Sequence, residues 1–314
     1  MGRTFAYRLA TAVPLVFLVS LLAFALVHLM PGSASETILG EGASPEAVAA
    51  LDQQLGFDRP LHEQYWNWAT DAVRGDFGKS AITSRNVSDT LIERFPVTLS
   101  VAAGGLLVAV IIGVLGGTIA ALRQGRLTDR VISLATATGL AVPNFWVAIL
   151  LAFYIGVQRG WLPAVGYTGP TESVIEWVKH LIMPSIALGL GSAAVIARQM
   201  RGGLLDVLER PYIRAARAKG LRFGRVVVIH GMKNALIPVA TVIGFQASVM
   251  LGGAVLVEQI FGMPGIGVQA VGAVLSQDLP VVQGIVMVSS LIVILMNVMI
   301  DMSYAYFDPR VRLA

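Results

Sequence analysis

Cysteine is absent from the 314 residues, which excludes disulfides and thiolate metal sites. Charge is scarce: Asp, Glu, Lys and Arg make up 13% of the chain against 55% hydrophobic residues, and the mean hydropathy is +0.72. Inside the apolar runs at about 97–122, 131–157, 181–197 and 235–257 there is no Asp, Glu, Lys, Arg or His. Proton- and ion-coupled carriers rely on buried ionisable side chains or ion-coordinating broken helices, so that class is disfavoured. No Ser/His/Asp or paired-carboxylate arrangement lies within the spans, and His62-Glu63 lacks the second His of a zinc protease motif. Gly75-Asp76-Phe77-Gly78-Lys79-Ser80 ends like a phosphate-binding loop, but Val73 stands where the first Gly is required. The chain is therefore expected to hold no catalytic residue and no metal, and to bind no ATP itself.

What is present is membrane-spanning sequence. Six stretches reach or approach the roughly 20 apolar residues of a span, at about 10–30, 97–122, 131–157, 181–197, 235–257 and 282–300. The fourth is short, and its helix can continue toward Met200. The first follows Arg3 and Arg8 but outruns the apolar core of a signal peptide. It reads as a retained span, the alternative being cleavage near Ala34. The formal charge of +4 is segregated rather than spread, so it does not point to nucleic acid. The tail before span 1 and the segments 123–130, 198–234 and 301–314 hold 16 of the 23 basic residues and 5 of the 19 acids. By the positive-inside tendency these face the cytoplasm. An all-α polytopic protein with six transmembrane helices and both termini inside follows.

The remaining features are local. In the long outer loop, 31–96, Ser44-Pro45-Glu46 starts a helix that Gly56 stops, with Val48, Leu51 and Leu55 on one face. A second helix is expected from Leu61 to Val73, carrying Tyr65, Trp66 and Trp68, as a cap on the outer ends of the spans or a docking surface. Gly113, Gly116, Gly117, Gly189, Gly191, Gly252 and Gly253 suit close helix–helix approach. Pro143 beside Asn144 predicts a kink in the third span. His28 and Asp301 fall near span ends and read as interfacial. Asn144, Gln246, Ser248 and Asn297 would suit an uncharged, wet passage, or else hydrogen bonds to neighbouring helices.

Between Ala197 and Ala235 the chain carries nine Lys/Arg and two acids, flanked by apolar runs. Pro211 opens a helix there, Ala215, Ala216 and Ala218 make it slim, and Gly220 ends it in a left-handed conformation. Leu221 and Phe223 give it an apolar tip, followed by Arg222 and Arg225. Such a helix fits a groove on a partner, or lies on acidic lipid.

Ala215-Ala216-x-x-x-Gly220 resembles the cytoplasmic coupling motif, Glu-Ala-Ala-x-x-x-Gly, of ABC importer permeases. Arg214 through Leu221, followed by His230-Gly-Met-Lys-Asn-Ala-Leu-Ile-Pro238, resembles the dipeptide/oligopeptide/nickel branch. Arg214 stands where the general motif has Glu, and His230-x-Met232-Lys233 replaces the usual downstream pattern. Further matches are Leu29-Met-Pro-Gly32, Leu55 to Leu61, Arg74 to Ser80, Phe261 to Gly267, Pro280-Val-Val-Gln-Gly284 and Asp308-Pro-Arg310. The long first outer loop is similar to the first of the two paired permeases.

The resemblance implies the fold of a type I ABC importer permease, with residues 1–314 as a single transmembrane permease domain in the bacterial cytoplasmic membrane. It implies a homologous second permease and two cytoplasmic ATPases holding ATP and Mg. An extracytoplasmic binding protein would deliver a peptide, nickel or another small solute being the alternative cargo. Arg214, Ala215, Ala216, Arg217, Ala218, Lys219, Gly220 and Leu221 are then the ATPase-coupling residues, and no cofactor belongs to this chain.

Overall fold

A bilayer offers the backbone no hydrogen-bonding partner, so each apolar run must satisfy its own N–H and C=O groups and becomes a helix. The computed structural model describes residues 2–29, 39–40, 42–55 and 58–307. In order the helices are α1 (Gly2–Leu29), α2 (Pro45–Leu55), α3 (Leu61–Val73), α4 (Val87–Leu122), α5 (Leu127–Ala141) and α6 (Asn144–Gln158). They continue with α7 (Val174–Leu208), α8 (Pro211–Ala218), α9 (Phe223–Ile260), α10 (Ile266–Leu275) and α11 (Leu279–Phe307). Gly56, Met30, Pro31, Gly32, Asp308, Pro309 and Arg310 lie outside the described residues, as do the side chains of Leu51, Leu55, His28 and Asp301.

Among the described residues, α4, α7, α9 and the Leu279–Ile300 part of α11 are long and apolar enough to cross a membrane. The bent pair α5–α6 makes a fifth if counted as one span, and α1 carries a shorter apolar stretch, Ala10–Ala25. The helices overrun the apolar runs. Helix α4 begins at Val87, well before the run opens at Val97, because Glu93 and Arg94 lower hydropathy without breaking backbone hydrogen bonds. Helix α7 reaches Leu208 and α9 starts at Phe223, so of the segment 198–234 only 209–222 lies outside these long helices. That corrects the extent of the expected loop.

The expected kink at Pro143 is a break, with α5 and α6 meeting at 99°. A residue before proline is pushed out of the helical region, and Val142 turns extended, with ψ 124°. The helix restarts at Asn144, where the N–H groups of Trp146 and Val147 return to Pro143 O at 3.1 and 3.3 Å.

The chain divides into two compact units whose boundaries fall within α4, between α9 and α10, and within α11. The first holds 97–264 and 296–307. Its core includes Val101, Ala109, Met183, Leu188, Ile196, Met200, Val239, Met250 and Phe261. Lipid is as apolar as these side chains, so close van der Waals contact, not water exclusion, holds such helices together. Glycines supply the closeness. A Cβ on Gly117 would lie 2.4 Å from Ala197 O, and one on Gly113 would lie 2.9 Å from Ala193 O. One on Gly189 would lie 2.5 Å from Gly105 O, so α4 and α7 touch backbone to backbone. Gly252 meets nothing within 4 Å and Gly116 only Ile132 at 3.9 Å, so among the described residues those two have no such role.

The second unit holds 2–96 and 265–295. Helix α2 starts as expected, with Ser44 Oγ accepting from Ala47 N–H at 3.3 Å. Helix α3 spans the expected residues and packs on α1: Tyr65 is buried, its hydroxyl is 2.7 Å from Ser20 Oγ, and its ring meets Phe24 edge-on at 5.5 Å. Trp66 is 58% exposed, so α3 packs on α1 with one aromatic left outward. The phosphate-loop lookalike is a structural turn. Ser80 Oγ donates to the buried Asp278 carboxylate and accepts from Thr83 N–H, and Asp278 also accepts from Ala81 N–H at 3.1 Å.

Candidate docking site

The slim basic helix forms as its sequence dictates. Helix α7 ends at Leu208, and Arg210 turns extended ahead of Pro211, which occupies the first helical turn where its missing N–H costs nothing. The eight residues of α8 end in a left-handed turn with paired hydrogen bonds. Gly220 N–H donates to Arg217 O at 3.0 Å, Leu221 N–H donates to Ala216 O at 3.4 Å, and Gly220 has φ +79°.

Helix α8 is too short to stand alone and is held by one side chain. Ile213 is 1% exposed, and the helix packs against the wide-turn segment Val226–Met232 at the start of α9, where Val226 and Val227 are buried. Sequence reading missed Ile213; its signal is an apolar residue alone among Arg and Ala, facing the next apolar cluster. At 100° per residue, Ala215 and Ala218 point away from Ile213, while Arg214 and Lys219 flank them. These four are exposed, whereas Ala216 is half-buried on the anchored side. The outward face is therefore two methyl groups between two cations.

Beyond the helix the tip is built from Leu221, half-buried, and Phe223, 48% exposed. The Arg217 guanidinium sits 5.4 Å from the Phe223 ring centroid, which fixes both. Tyr212 is 44% exposed on the other flank. No acid occurs between Glu209 and Glu258, so nothing in this stretch neutralises Arg210, Arg214, Arg217, Lys219, Arg222 and Arg225.

The four uncharged polar candidates for a passage do not form one wall. Ser248 Oγ lies 3.4 Å from Asn297 Oδ1, and Asn297 is exposed, so these two meet. Gln246 is buried, since two residues along a helix is a turn of about 200° and carries it to the opposite face from Ser248. Asn144 opens α6, and its Oδ1 lies 3.1 Å from where a Cβ on Gly191 would sit, against the backbone of α7.

With this geometry established, three comparisons bear on it. Residues 113–313 match the family described as "Binding-protein-dependent transport system inner membrane component", and residues 1–102 match its N-terminal companion. A Brucella abortus chain assigned by name to a peptide transport system as its permease protein is 39% identical over 97% of each chain. The glutathione transport system permease protein GsiC of Escherichia coli is 40% identical over 97% of each. Among solved structures, the MetNI methionine ABC transporter in an inward-facing conformation aligns with a TM-score of 0.58 at 15% identity. It covers 70% of this chain and 96% of that one, a likeness of fold.

Proposed function

The chain belongs to the family of binding-protein-dependent transport system inner membrane components, and from that premise we propose that it is one permease of a two-permease ABC importer for peptides. It is a transport subunit of the bacterial inner membrane, with ATP hydrolysis in separate chains. Helix α8 is the handle those ATPases grip. The observation that carries this is the exposed Ala215–Ala218 face, rigidly ended at Gly220 and framed by cations. A slim rigid helix enters a groove without reordering, and its ring of positive charge orients the entry.

Peptide cargo is supported by relatives of nearly full length, one assigned to peptides and one to glutathione, itself a short peptide. The charge asymmetry supports cytoplasmic termini and a cytoplasmic α8. A homologous second permease, two ATPases holding ATP and Mg, and an extracytoplasmic binding protein complete the machine. The Ser248–Asn297 pair, neutral and open, is the segment of passage wall this chain contributes.

The test is expression of the chain with the ATPases and second permease encoded beside it, followed by purification and uptake of labelled di- and tripeptides. Stable co-purification and peptide uptake that stops when ATP is depleted are expected. Uptake of nickel but not of peptides would move the cargo to the alternative, and uptake unaffected by ATP depletion would overturn the importer reading.

A further inference from the structure

We propose that the Asp129–Arg201 ion pair is a positioning strut that makes the start of α5 move with the inner end of α7, and thus with α8. This rests on the reading of α8 as the coupling element. Asp129 lies in the first turn of α5 and is 4% exposed. Arg201 lies on α7, two turns before that helix ends at Leu208. The guanidinium grips the carboxylate with two parallel bonds, Nε to Oδ1 at 2.7 Å and Nη2 to Oδ2 at 2.8 Å.

The grip is completed from α5's own side. Gly125, at φ +76° in the turn joining α4 to α5, donates its N–H to Asp129 Oδ2 at 2.9 Å, and Ser133 Oγ reaches Oδ1 at 3.4 Å. Beneath the pair, a Cβ on Gly117 would lie 2.7 Å from Met200 Cβ and 3.1 Å from Arg201 N, so α4 presses directly on this stretch of α7. The α4–α5 turn, the start of α5 and the inner end of α7 are one knot. Helix α8 hangs from α7 by the two residues Glu209 and Arg210.

Apolar contact already joins α7 to its neighbours, and a buried ion pair is no more stabilising than well-packed apolar side chains. What the two-pronged pair adds is register. Apolar surfaces slide over one another at small cost, whereas a fork matched to a carboxylate holds one alignment. Movement of α8 is therefore carried into α5, and α5 leads to the 99° break before α6. Packed elements with two discrete arrangements transmit motion in this way.

The absence of native cysteine makes a direct test possible. Spin labels are placed at Asp206→Cys on α7 and Ala137→Cys on α5 in the full transporter with its ATPases, and the distance is measured with and without a non-hydrolysable ATP analogue. The unaltered pair should give one narrow distance that does not change with nucleotide. Arg201→Lys, which keeps the charge and loses the fork, and the apolar double variant Asp129→Leu/Arg201→Leu should broaden it and make it nucleotide-dependent. Peptide taken up per ATP hydrolysed should fall on the order of tenfold in both, the size of an ordinary coupling energy.

A distance that changes with nucleotide in the unaltered protein, or stays narrow and fixed in Arg201→Lys, overturns the strut. So does loss of uptake strictly in proportion to loss of assembled complex, which marks a purely structural clamp. Gly220→Asp run in parallel separates the two proposals: normal ATPase binding by that variant removes the coupling reading itself, whereas its failure beside a normal Arg201→Lys removes only the strut.

Discussion

Thr98 on α4 donates its hydroxyl to Oε1 of Glu258 on α9, across 160 positions of sequence and with Glu258 fully enclosed. Glu258 also closes the end of its own helix, its backbone carbonyl accepting Met263 N–H at 2.9 Å. Losing the hydroxyl removes one hydrogen bond to an enclosed carboxylate, at a cost of about 1–3 kcal/mol. Thr98→Val should therefore lower the unfolding midpoint of the detergent-solubilised chain, and Glu258→Gln, which keeps an acceptor at Oε1, should lower it less. Equal midpoints for Thr98→Val and the unaltered chain would show that the contact contributes nothing.

The backbone contact between α4 and α7 sorts the glycines into two kinds. Gly117→Ala places a methyl 2.4 Å from Ala197 O, and backbone cannot give way as a side chain end can. Overpacking of this kind costs about 1–3 kcal/mol. Gly252→Ala meets nothing within 4 Å and should be neutral for the isolated chain. Heat-induced aggregation of the two variants, compared at equal expression, reads the difference. If Gly252→Ala is silent in isolation yet impairs the assembled transporter, that face of α9 meets another subunit.

Orientation rests on charge alone, and a cysteine-free chain tests it without background. Ser44→Cys, at the start of α2, should react with a membrane-impermeant maleimide in intact cells. Lys219→Cys, at the end of α8, should react only after the membrane is opened. The reverse pattern would place α8 outside and remove it from any cytoplasmic ATPase.

Features set by a few adjacent residues were legible in the sequence: α3 from Leu61 to Val73, a bend at Pro143 and the left-handed Gly220. Each depends on local backbone preference, which sequence states directly. The helix ends and the long-range polar ties were not. Hydropathy stops at Val97, but the helix runs back to Val87 through Glu93 and Arg94, because a charged residue changes solvation without changing backbone geometry, and it continues past Pro96 with one hydrogen bond fewer. Glu258 counts as an outer-loop acid because the apolar run ends one residue earlier, and Asp129 as an inner-loop acid because the next run opens two residues later. Their partners, Thr98 and Arg201, lie far off in sequence, and only the packing of α4 against α9 and of α5 against α7 brings them near. The role of the Gly78-Lys79-Ser80 turn, whose Ser80 holds Asp278, again needed a contact 198 positions away.

The outward face of α8 makes the sharpest prediction, because its residues separate by direction. Gly220 meets nothing within 4 Å, so a side chain there causes no clash and acts only through φ +79° and through whatever docks against it. Gly220→Asn, which tolerates the left-handed region, should be mild. Gly220→Ala should cost about 1 kcal/mol of helix-end geometry. Gly220→Asp adds a charge to be desolvated in the groove, and with it ATPase binding and uptake should fall furthest while the protein remains in the membrane. Ala215→Asp, on the exposed side, should act like Gly220→Asp. Ala216→Asp differs: it meets the helix's own support beside Ile213, so it should also lower the stability of the isolated chain. Arg225→Gln, beyond the tip, should be nearly silent. Co-purification with the ATPases, followed by ATP hydrolysis during transport, ranks the series. A ranking in which Gly220→Asp and Ala215→Asp bind the ATPases normally would make α8 a membrane-surface anchor and not a handle.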